Sequence, residues 1–441
     1  MPEKIIRDPV HDVISLRLED PVERLIYELL ATPEVQRLRR VRQLGMAHLA
    51  YPGADHSRYS HSLGVFETAR QMLRQLSHEV RIDPQRRRAC LLAALLHDVG
   101  HGPFSHVFER VSGVHHEAVT RRVILDDESG VNEAMRRHDA SLPLEVADLL
   151  RCEPTRDFLA DVLSSQLDAD RLDYLLRDNL MTGSRYGDYD LRWLLSALTV
   201  DPATQRLAVT HKGVSAVEAY LQARHHMYRN VYFHKVVRAA EGMIKLALQR
   251  ARRLAMQDRL DWPRRGDASW LALMGRHMSI GQLNGFDDVS ILHAFKTWSA
   301  GDDPTLARLC HGLLYRRLYK TIDLSTIEDG SRIVSIVAGA CHAVERTGGE
   351  PAYDLFYDEP ADTPYHLDET AGPEASKQIL VREEDGRLTD VASVSPFTRA
   401  LARQLMFRRL HVAEEYRDTV MSVVARELRR DEQANLATDA S

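Results

Sequence analysis

Apolar residues recur along most of this chain with the three- and four-residue spacing of helices. The most apolar stretch, residues 91–96, leaves almost no polar face, so the helix predicted over 85–96 should be buried. The same spacing predicts helices that begin at residues 33 and 115. It predicts further helices over residues 25–30, 60–77, 143–180, 215–254, 304–320, 333–346 and 396–429.

Alternation of apolar and polar residues, which is typical of strands, is confined to a few places. It occurs at 205–211, and an extended segment over 5–20 surrounds the turn signal Asp8-Pro9. Strand-like pieces also fill 351–395, with Asp385-Gly386 as a hairpin turn. The predicted fold is therefore mostly α, with a helical core over 1–255, a smaller α+β C-terminal lobe over 256–430, and a disordered tail over 431–441.

Composition limits the class of protein. The chain has 441 residues, of which 44% are hydrophobic, and this amount of apolar side chain predicts a soluble globular protein with a large core. A net charge of −6 gives no sign of binding to long nucleic acid. The cysteines are widely spaced, which predicts reduced thiols. No window is apolar enough to cross a membrane, and together these features predict a cytoplasmic location.

Chemistry-bearing residues gather around the buried helix. His97 and Asp98 directly follow its apolar run, and His61 lies in the first turn of the helix over 60–77. The segment 164–178 adds several aspartates. Two histidines and two aspartates form a mixed nitrogen and oxygen donor set for a divalent cation with open positions. Such a cation suits phosphate ester hydrolysis, and its identity stays open among Mn, Mg, Fe, Co, Ni and Zn.

These residues belong to longer blocks that resemble the HD-domain phosphohydrolases, and within them the deoxynucleoside triphosphate (dNTP) triphosphohydrolases. The blocks cover most of the chain: RDPVHD (7–12), EVQRLRRVRQLG (34–45), YPGADHSRYSHSLGV (51–65), LLHDVGHGPFSHVFE (95–109), HHEA (115–118), SSQLDADRLDYLLRD (164–178), MYRNVYFHK (227–235) and DGRLTDVASVSP (385–396). The resemblance implies an HD-domain helical core and hydrolysis of dNTPs to deoxynucleoside and triphosphate.

The resemblance also implies roles for single residues. The implied metal ligands are His61, His97, Asp98 and Asp170. The implied catalytic residues, which surround the triphosphate, are His101, His106, Glu109 and His116. Among these, His106 is the expected general acid toward the leaving 5′ oxygen. Glu109, one helical turn further on, could orient the imidazole of His106.

A second implied set binds the substrate: Gln43, Arg58, Arg171, Tyr174, Asp178, Arg224, Tyr228 and Tyr232. Arg58 and Arg224 match phosphate contacts, whereas Gln43 and Asp178 match groups that bind the sugar 3′-hydroxyl. Tyr174 packs on the sugar in the family, and Tyr232 fills the space of a 2′-hydroxyl. Arg171 and Tyr228 replace the Lys and His of the mammalian relative.

Regulation is implied as well, because family members form homotetramers that nucleotides activate at subunit interfaces. The matching residues are Lys4, Gln36, Arg39, Arg192 and Lys212. Ala31 replaces an aspartate that reads guanine, so strictly guanine-dependent activation is not expected here. Within the predicted core, 1–45 is then the activator segment, 57–180 holds the metal-site helices, and 215–254 is the substrate helix.

Two alternatives stay open. Arg37, Arg39, Arg40 and Arg42 share one short segment. They would suit a nucleotide-sensing or single-strand nucleic-acid-binding regulator with weak turnover, although such a run is most often a solvated face. The other alternative is an HD phosphohydrolase that acts on a different phosphoester.

Overall fold

The computed structural model describes residues 3–151, 157–260, 262–365 and 378–438, without the side chains of residues 106 and 430–438. Its strands are β1 (Glu3–Asp8), β2 (Asp12–Arg17), β3 (Leu198–Val200), β4 (Leu207–Thr210), β5 (Lys320–Asp323), β6 (Leu355–Asp358), β7 (Ala361–Asp362), β8 (Leu380–Arg382), β9 (Leu388–Asp390), β10 (Leu405–Met406) and β11 (Arg409–Val412).

Helices make up most of the described chain, which confirms the predicted fold class. In the first half they are α1 (Pro21–Leu30), α2 (Pro33–Arg37), α3 (Arg58–Leu76), α4 (Pro84–Leu96), α5 (His106–Ser112), α6 (His116–Leu125), α7 (Gly130–His138), α8 (Leu142–Leu150), α9 (Phe158–Leu163), α10 (Ala169–Thr182), α11 (Leu191–Ser196) and α12 (Val214–Met227). The second half has α13 (Lys235–Met256), α14 (Ala268–Leu273), α15 (Ile280–Asn284), α16 (Asp288–Trp298), α17 (Pro304–Leu314), α18 (Gly330–Arg346), α19 (Pro351–Asp354), α20 (Val391–Val394), α21 (Pro396–Leu401) and α22 (Arg417–Thr438).

The chain divides into two compact units, each assembled from three segments. The first comprises Met1–Val231, Pro263–His293 and Thr363–Arg403. The second comprises Tyr232–Trp262, Ala294–Asp362 and Gln404–Ser441. The units therefore do not follow the predicted boundary at residue 255, which falls inside α13.

Helix α4 is the central helix of the first unit. Asp83 caps its N-terminus by accepting hydrogen bonds from the backbone amides of Gln85 and Arg86, and Pro84 occupies its first position. The side chains of 91–96 are at most 2% exposed, as their apolar run predicts. Helix α3 packs against both α4 and α10, so three helices converge where α4 ends.

Two small sheets complete the first unit. The hairpin β1–β2 is antiparallel, from the pair Glu3 and Arg17 to the pair Asp8 and Asp12 at its turn. The other sheet has the order β3-β4-β8-β9, with β4 and β8 parallel. The strand predicted at 205–211 and the hairpin turn at Asp385-Gly386 are both confirmed, and Gly386 has the φ of +82° that favours glycine.

The second unit corrects one helix prediction. The chain over 396–429 is not a single helix, because β10 and β11 lie between α21 and α22. Strand β11 is wholly buried and pairs with both β5 and β6, and its four residues are too few to show a strand period between the flanking helical patterns. Helix α22 continues to Thr438, whereas the sequence predicted a disordered tail from residue 431.

None of the helices in the described ranges is both long and apolar enough to cross a membrane.

Candidate active site

Three helix ends bring the predicted metal ligands together. His61 lies one turn into α3 and is fully buried, and His97 and Asp98 follow the last residue of α4. Asp170 lies in the first turn of α10. Asp168 instead caps that helix and accepts a hydrogen bond from the backbone amide of Arg171, so its carboxylate stabilises the helix N-terminus.

The four side chains form what we call the ligand cluster: His61, His97, Asp98 and Asp170. His61 Nε2 lies 3.0 Å from Asp170 Oδ1 and 3.9 Å from Asp98 Oδ2. His97 Nε2 lies 3.4 Å from Asp98 Oδ1 and 3.8 Å from Asp170 Oδ1. Ligands about 2.1 Å from one ion are about 3 to 4.3 Å apart, so these separations fit a shared cation.

The hydrogen bonds of the two imidazoles support this fit. His61 Nδ1 bonds Asp173 Oδ2 at 2.9 Å, and His97 Nδ1 bonds the backbone carbonyl of Ala94 at 2.9 Å. Both Nε2 atoms are buried and form no hydrogen bond of acceptable geometry with any described residue. When Nδ1–H donates to these oxygens, the Nε2 lone pair is left for a metal, the usual arrangement of metal-binding histidines. The rings lie edge to face at 81°, with centroids 5.3 Å apart, so both lone pairs can reach one ion.

The electrostatics of the cluster favour a positive charge. Burial disfavours the charged form of His61, yet Asp170 and Asp173 outweigh it and raise its pKa to about 10. Burial also opposes ionisation of Asp98, but Arg58, His97 and His101 hold its pKa well below the usual carboxyl value. The pKa of Asp170 is lowered by His61 and His97 against the effect of burial. Without a metal, His61 is therefore protonated, and a divalent cation that binds at Nε2 would take the place of that proton beside the ionised carboxylates.

A second histidine group, the histidine stack of His101 and His116, lies on the other side of Asp98. Their rings are nearly parallel, at 17°, with centroids 3.7 Å apart, and His101 Nε2 lies 3.2 Å from Asp98 Oδ1. Although Asp98, His101 and His116 are close enough to hold an ion, one ion cannot lie in the planes of two stacked rings. The stack is better suited to hydrogen bonding with an anion. Burial, with Arg58 nearby, lowers the pKa of His101 to about 3, so this ring is neutral.

Glu109 has a partner that the sequence did not indicate. Its Oε1 accepts hydrogen bonds from the backbone amide of His116 at 2.9 Å and pairs with His116 Nδ1 at 2.6 Å. The carboxylate therefore orients His116. The side chain of His106, which Glu109 was expected to orient, lies outside the described part of the chain.

Arg58 links Asp98 of the ligand cluster to the loop that holds Ser105. Its guanidinium donates to Asp98 Oδ2 and to the hydroxyl of Ser105, the latter at 2.7 and 3.0 Å. Phe104 and Ser105 both have a backbone φ of +50°, a conformation that residues with a side chain rarely adopt. Asp288 holds this strained loop by accepting a hydrogen bond from the Phe104 amide at 3.0 Å. The predicted phosphate contact thus lies directly against a predicted metal ligand.

The two predicted sugar contacts are both linked to His56. The backbone amide of Gln43 donates to the backbone carbonyl of His56 at 3.0 Å, and His56 Nε2 bonds Asp178 Oδ1 at 2.8 Å. Within the described part of the chain, Gln43 Oε1 is buried without a hydrogen-bond partner, so it can accept from a ligand hydroxyl. The Tyr174 ring lies 6.4 Å from that of His61.

The remaining substrate candidates differ in placement. The Arg224 guanidinium lies over the Tyr228 ring at 5.0 Å from its centroid. Arg171 donates to Asp168 and, at 2.6 Å, to the carbonyl of Ser165, so it braces the start of α10. Tyr232 is the first residue of the second unit, and its role stays a prediction.

The predicted activator residues are exposed, except Gln36, which is half-buried. Lys4 is exposed, 5.5 Å from the centroid of Tyr27. Gln36 Oε1 accepts from Arg39 Nε at 2.9 Å, and the Arg39 guanidinium lies 3.6 Å above a tyrosine ring. Arg192 and Lys212 are exposed. Their assignment to a nucleotide site stays a prediction.

The sequence interpretation missed the residues behind the ligand cluster. Asp173, Arg177, Asp8 and His11 are joined by hydrogen bonds beneath His61, and we call them the buried network. The four-residue spacing of Asp173 and Arg177 in α10 was the available signal, because such residues share one helix face.

Arg37 was also missed. It was included in a solvated arginine face, but it is fully buried and donates to the carbonyls of Val99 and Phe286 at 2.8 and 3.0 Å. Burial lowers its pKa to about 10, and the guanidinium holds the loop that follows Asp98.

Comparisons with known proteins agree with this arrangement. The HD domain model matches residues 58–177, and the HD associated region model matches residues 189–279. YwfO of Bacillus subtilis, an uncharacterized protein, is 33% identical over 401 residues, which cover 91% of this chain and 89% of YwfO. The deoxynucleoside triphosphate triphosphohydrolase SAMHD1 of Gallus gallus is 30% identical over 285 residues, which cover 56% of this chain and 45% of that protein.

Among solved structures, a phosphohydrolase from Bacteroides thetaiotaomicron is similar at a TM-score of 0.78 and 29% identity, covering 93% of this chain and 100% of that one. The matched HD domain model spans all four residues of the ligand cluster. The chain therefore belongs to the HD-domain phosphohydrolase family.

Proposed function

We propose that this chain is a metal-dependent triphosphohydrolase that cleaves dNTPs to deoxynucleoside and triphosphate. The observation that carries the proposal is the position of Asp98, which contacts His97 of the ligand cluster and the guanidinium of Arg58. A phosphate group bound there would meet the metal and the guanidinium together. Guanidinium N–H groups match phosphate oxygens, and few other ligands require this combination.

Each part of the site has a task in this reaction. A bound divalent cation would polarise a phosphoryl oxygen and activate a water molecule. Arg58 would neutralise the triphosphate, and the histidine stack would donate hydrogen bonds to its oxygens. Glu109 keeps His116 oriented for that task. His106 is the proposed general acid toward the 5′ oxygen of the leaving deoxynucleoside.

The choice of a deoxynucleotide has separate support. Gln43 and Asp178 are both linked to His56, Gln43 through its backbone, and the Gln43 Oε1 atom and the Asp178 carboxylate are acceptors for a sugar hydroxyl. Relatives from Gallus gallus, Danio rerio and Dictyostelium discoideum are named as dNTP triphosphohydrolases. We infer the same substrate class for this chain.

The test is product analysis with each of the four dNTPs and one divalent metal at a time. We expect equal amounts of deoxynucleoside and triphosphate. Release of inorganic phosphate or pyrophosphate would contradict this proposal and favour an HD phosphohydrolase with another substrate.

We also propose that nucleotide bound at Lys4, Gln36 and Arg39 activates a homotetramer, with Arg192 and Lys212 at the adjoining site. Ligands that bind between subunits favour the assembled form. The test is hydrolysis of one labelled dNTP during titration of unlabelled dGTP, dATP and GTP, with sedimentation of the same samples. Linear kinetics that Arg39→Ala does not alter would remove the regulatory part.

The single-strand nucleic-acid regulator is less well supported. It relied on four arginines over 37–42, but Arg37 is buried. Arg40 is paired with Asp287 at 2.5 Å, and Arg42 with Asp55 at 3.2 Å. Most of that cationic surface is therefore committed within the chain.

A further inference from the structure

The turn of the N-terminal hairpin buries two polar side chains in the first unit. The side chain of His11 is 3% exposed and that of Asp8 is also 3% exposed, although both belong to an edge hairpin. Asp8 Oδ1 accepts hydrogen bonds from the amides of Val10 and His11 at 2.9 and 3.0 Å, which fixes the turn. Polar side chains are buried in this way when they have defined partners.

Those partners lie on helix α10. Arg177 donates to both oxygens of Asp8, at 2.8 and 3.2 Å, and to both oxygens of Asp173, at 2.8 and 2.9 Å. His11 Nε2 bonds Asp173 Oδ1 at 2.9 Å. The hairpin is therefore tied to α10 by ion pairs and hydrogen bonds from which water is excluded.

Asp173 in turn holds a ligand of the cluster. Its Oδ2 bonds His61 Nδ1 at 2.9 Å, so with Arg177 and His11 the carboxylate has four hydrogen-bond contacts. A carboxylate has about four acceptor positions, and all of them are used here. The carboxylate cannot rotate about its bond to Cβ without breaking several of these contacts at once.

Gly64 provides an independent sign that this arrangement is built into the fold. It lies one turn after His61 in α3, and a Cβ at this position would come 1.9 Å from Asp173 Oδ1 and 2.2 Å from Arg177 Nη2. Helix α3 can approach the buried network only because residue 64 has no side chain. The network is thus packed directly beneath the helix that carries His61.

We propose that His11 is a positioning residue for the divalent cation, since it fixes the Asp173 carboxylate that holds His61 Nδ1 and so directs His61 Nε2 toward the ligand cluster. The N-terminal hairpin is by this account part of the metal site, although none of its residues belongs to the ligand cluster. The inference rests on the metal dependence of the proposed function and not on its substrate.

The experiment measures the affinity of the full chain for Mn²⁺, from the free-ion signal in electron paramagnetic resonance, without nucleotide. His11→Ala should weaken binding by up to about 10-fold, because it removes a group behind Asp173, whereas loss of the direct partner of a metal-binding histidine costs about 10- to 100-fold. His11→Gln keeps an N–H at similar reach and should recover most of the affinity. His211→Ala is the matched control, because His211 bonds Glu383 at the same 2.9 Å but is exposed; its affinity should equal that of the wild type.

Circular dichroism establishes that each variant is folded. Should His11→Ala not fold, His11→Asn, which is polar but too short to reach Asp173, makes the same comparison. Wild-type affinity in a folded His11→Ala or His11→Asn variant would overturn the inference and leave the proposed function intact. Lack of Mn²⁺ binding by the wild type would contradict the proposed metal dependence itself.

Discussion

The dipeptide His-Asp directly follows the last turn of α4 and spans the end of α7, but the two surroundings differ. After α4, His97 and Asp98 lie among buried helices, and Asp98 is 6% exposed. At α7, His138 is exposed and bonds Glu28 at 3.2 Å, while Asp139 pairs with Arg88 at 2.7 Å. The same residue types thus form ordinary surface ion pairs in one place and converge with two further ligands in the other.

This difference shows that the residue types alone do not identify a candidate metal site. The residues before His97 are apolar for six positions, so the dipeptide is carried into the core, where a carboxylate needs a partner. The residues before His138 include Arg136 and Arg137, which keep that helix end in water. Burial therefore decides which His-Asp pair suits a metal.

The largest expected effect tests this comparison directly. His97→Ala with Asp98→Ala removes half of the ligand cluster, so metal content and hydrolysis should both be lost. His138→Ala with Asp139→Ala is the matched control and should retain both. Elemental analysis gives the metal content, and full occupancy in the first double variant would show that the metal binds elsewhere.

A second pair of neighbours sharpens the comparison within the histidines. His116 belongs to the histidine stack and is oriented by Glu109, whereas His115 is exposed. His116→Ala should lower kcat by roughly 10²- to 10³-fold without changing metal content, since it removes a group that acts on the phosphates. His115→Ala should be close to the wild type. Equal activities of the two variants would contradict the role of the stack.

Two glycines extend the comparison to packing. Gly64→Ala should lower the free energy of unfolding by roughly 3 kcal/mol, because its Cβ would overlap the buried network. Gly330 also lies in a helix, but a Cβ there would meet no atom within 4 Å, and Gly330→Ala should be neutral or slightly stabilising. Urea unfolding measures the free energy of unfolding of both variants. An unchanged value for Gly64→Ala would show that the buried network can move to accommodate a Cβ.

The smallest expected effect is on the pH dependence of stability, and it compares two aspartates whose pKa values are shifted in opposite directions. Burial raises the pKa of Asp288 to about 6, despite hydrogen bonds from the amides of Arg42 and Phe104. Its contribution to stability is therefore complete below the ordinary carboxyl pKa and is lost as the pH rises through about 6. From pH 5 to 7 the wild type should lose about 1 kcal/mol of unfolding free energy relative to Asp288→Asn.

Asp139 provides the control for that measurement. A hydrogen bond from Arg88, together with those from Ser141, lowers the pKa of Asp139 to about 2. The contribution of Asp139 to stability therefore changes only at a pH below 5. Asp139→Asn should leave the slope from pH 5 to 7 unchanged. Parallel pH profiles for the wild type and Asp288→Asn would contradict the raised pKa of Asp288.

The sequence predicted the fold best where an apolar pattern or a turn signal is long or strong. The buried run before His97 and the extended segment around the turn at Asp8-Pro9 are as predicted, because each has a clear period or a strong turn signal. The prediction of one helix over 396–429 was wrong, since β11 has only four residues, too few to reveal a strand period. The helix predicted over 304–320 ends at Leu314 in the structure. The sequence prediction was too long because the loop between Leu314 and β5 contains no proline or glycine.

The candidate site divides in the same way. Local patterns and family resemblance pointed to the four residues of the ligand cluster, which the structure brings together. Contacts between distant segments were not accessible, such as His11 with Asp173, which are 162 residues apart. Nor was the partner of Glu109 evident, because its pairing with His116 depends on a loop conformation between α5 and α6.

The most direct test of the central claim is hydrolysis of a dNTP in ¹⁸O-labelled water with the metal-loaded protein, followed by mass spectrometry of the products. Attack on the α-phosphorus with departure of the 5′ oxygen should place one ¹⁸O atom in triphosphate and none in the deoxynucleoside. Label in inorganic phosphate or pyrophosphate instead would show attack at another phosphorus and would contradict the assignment of this site as a triphosphohydrolase.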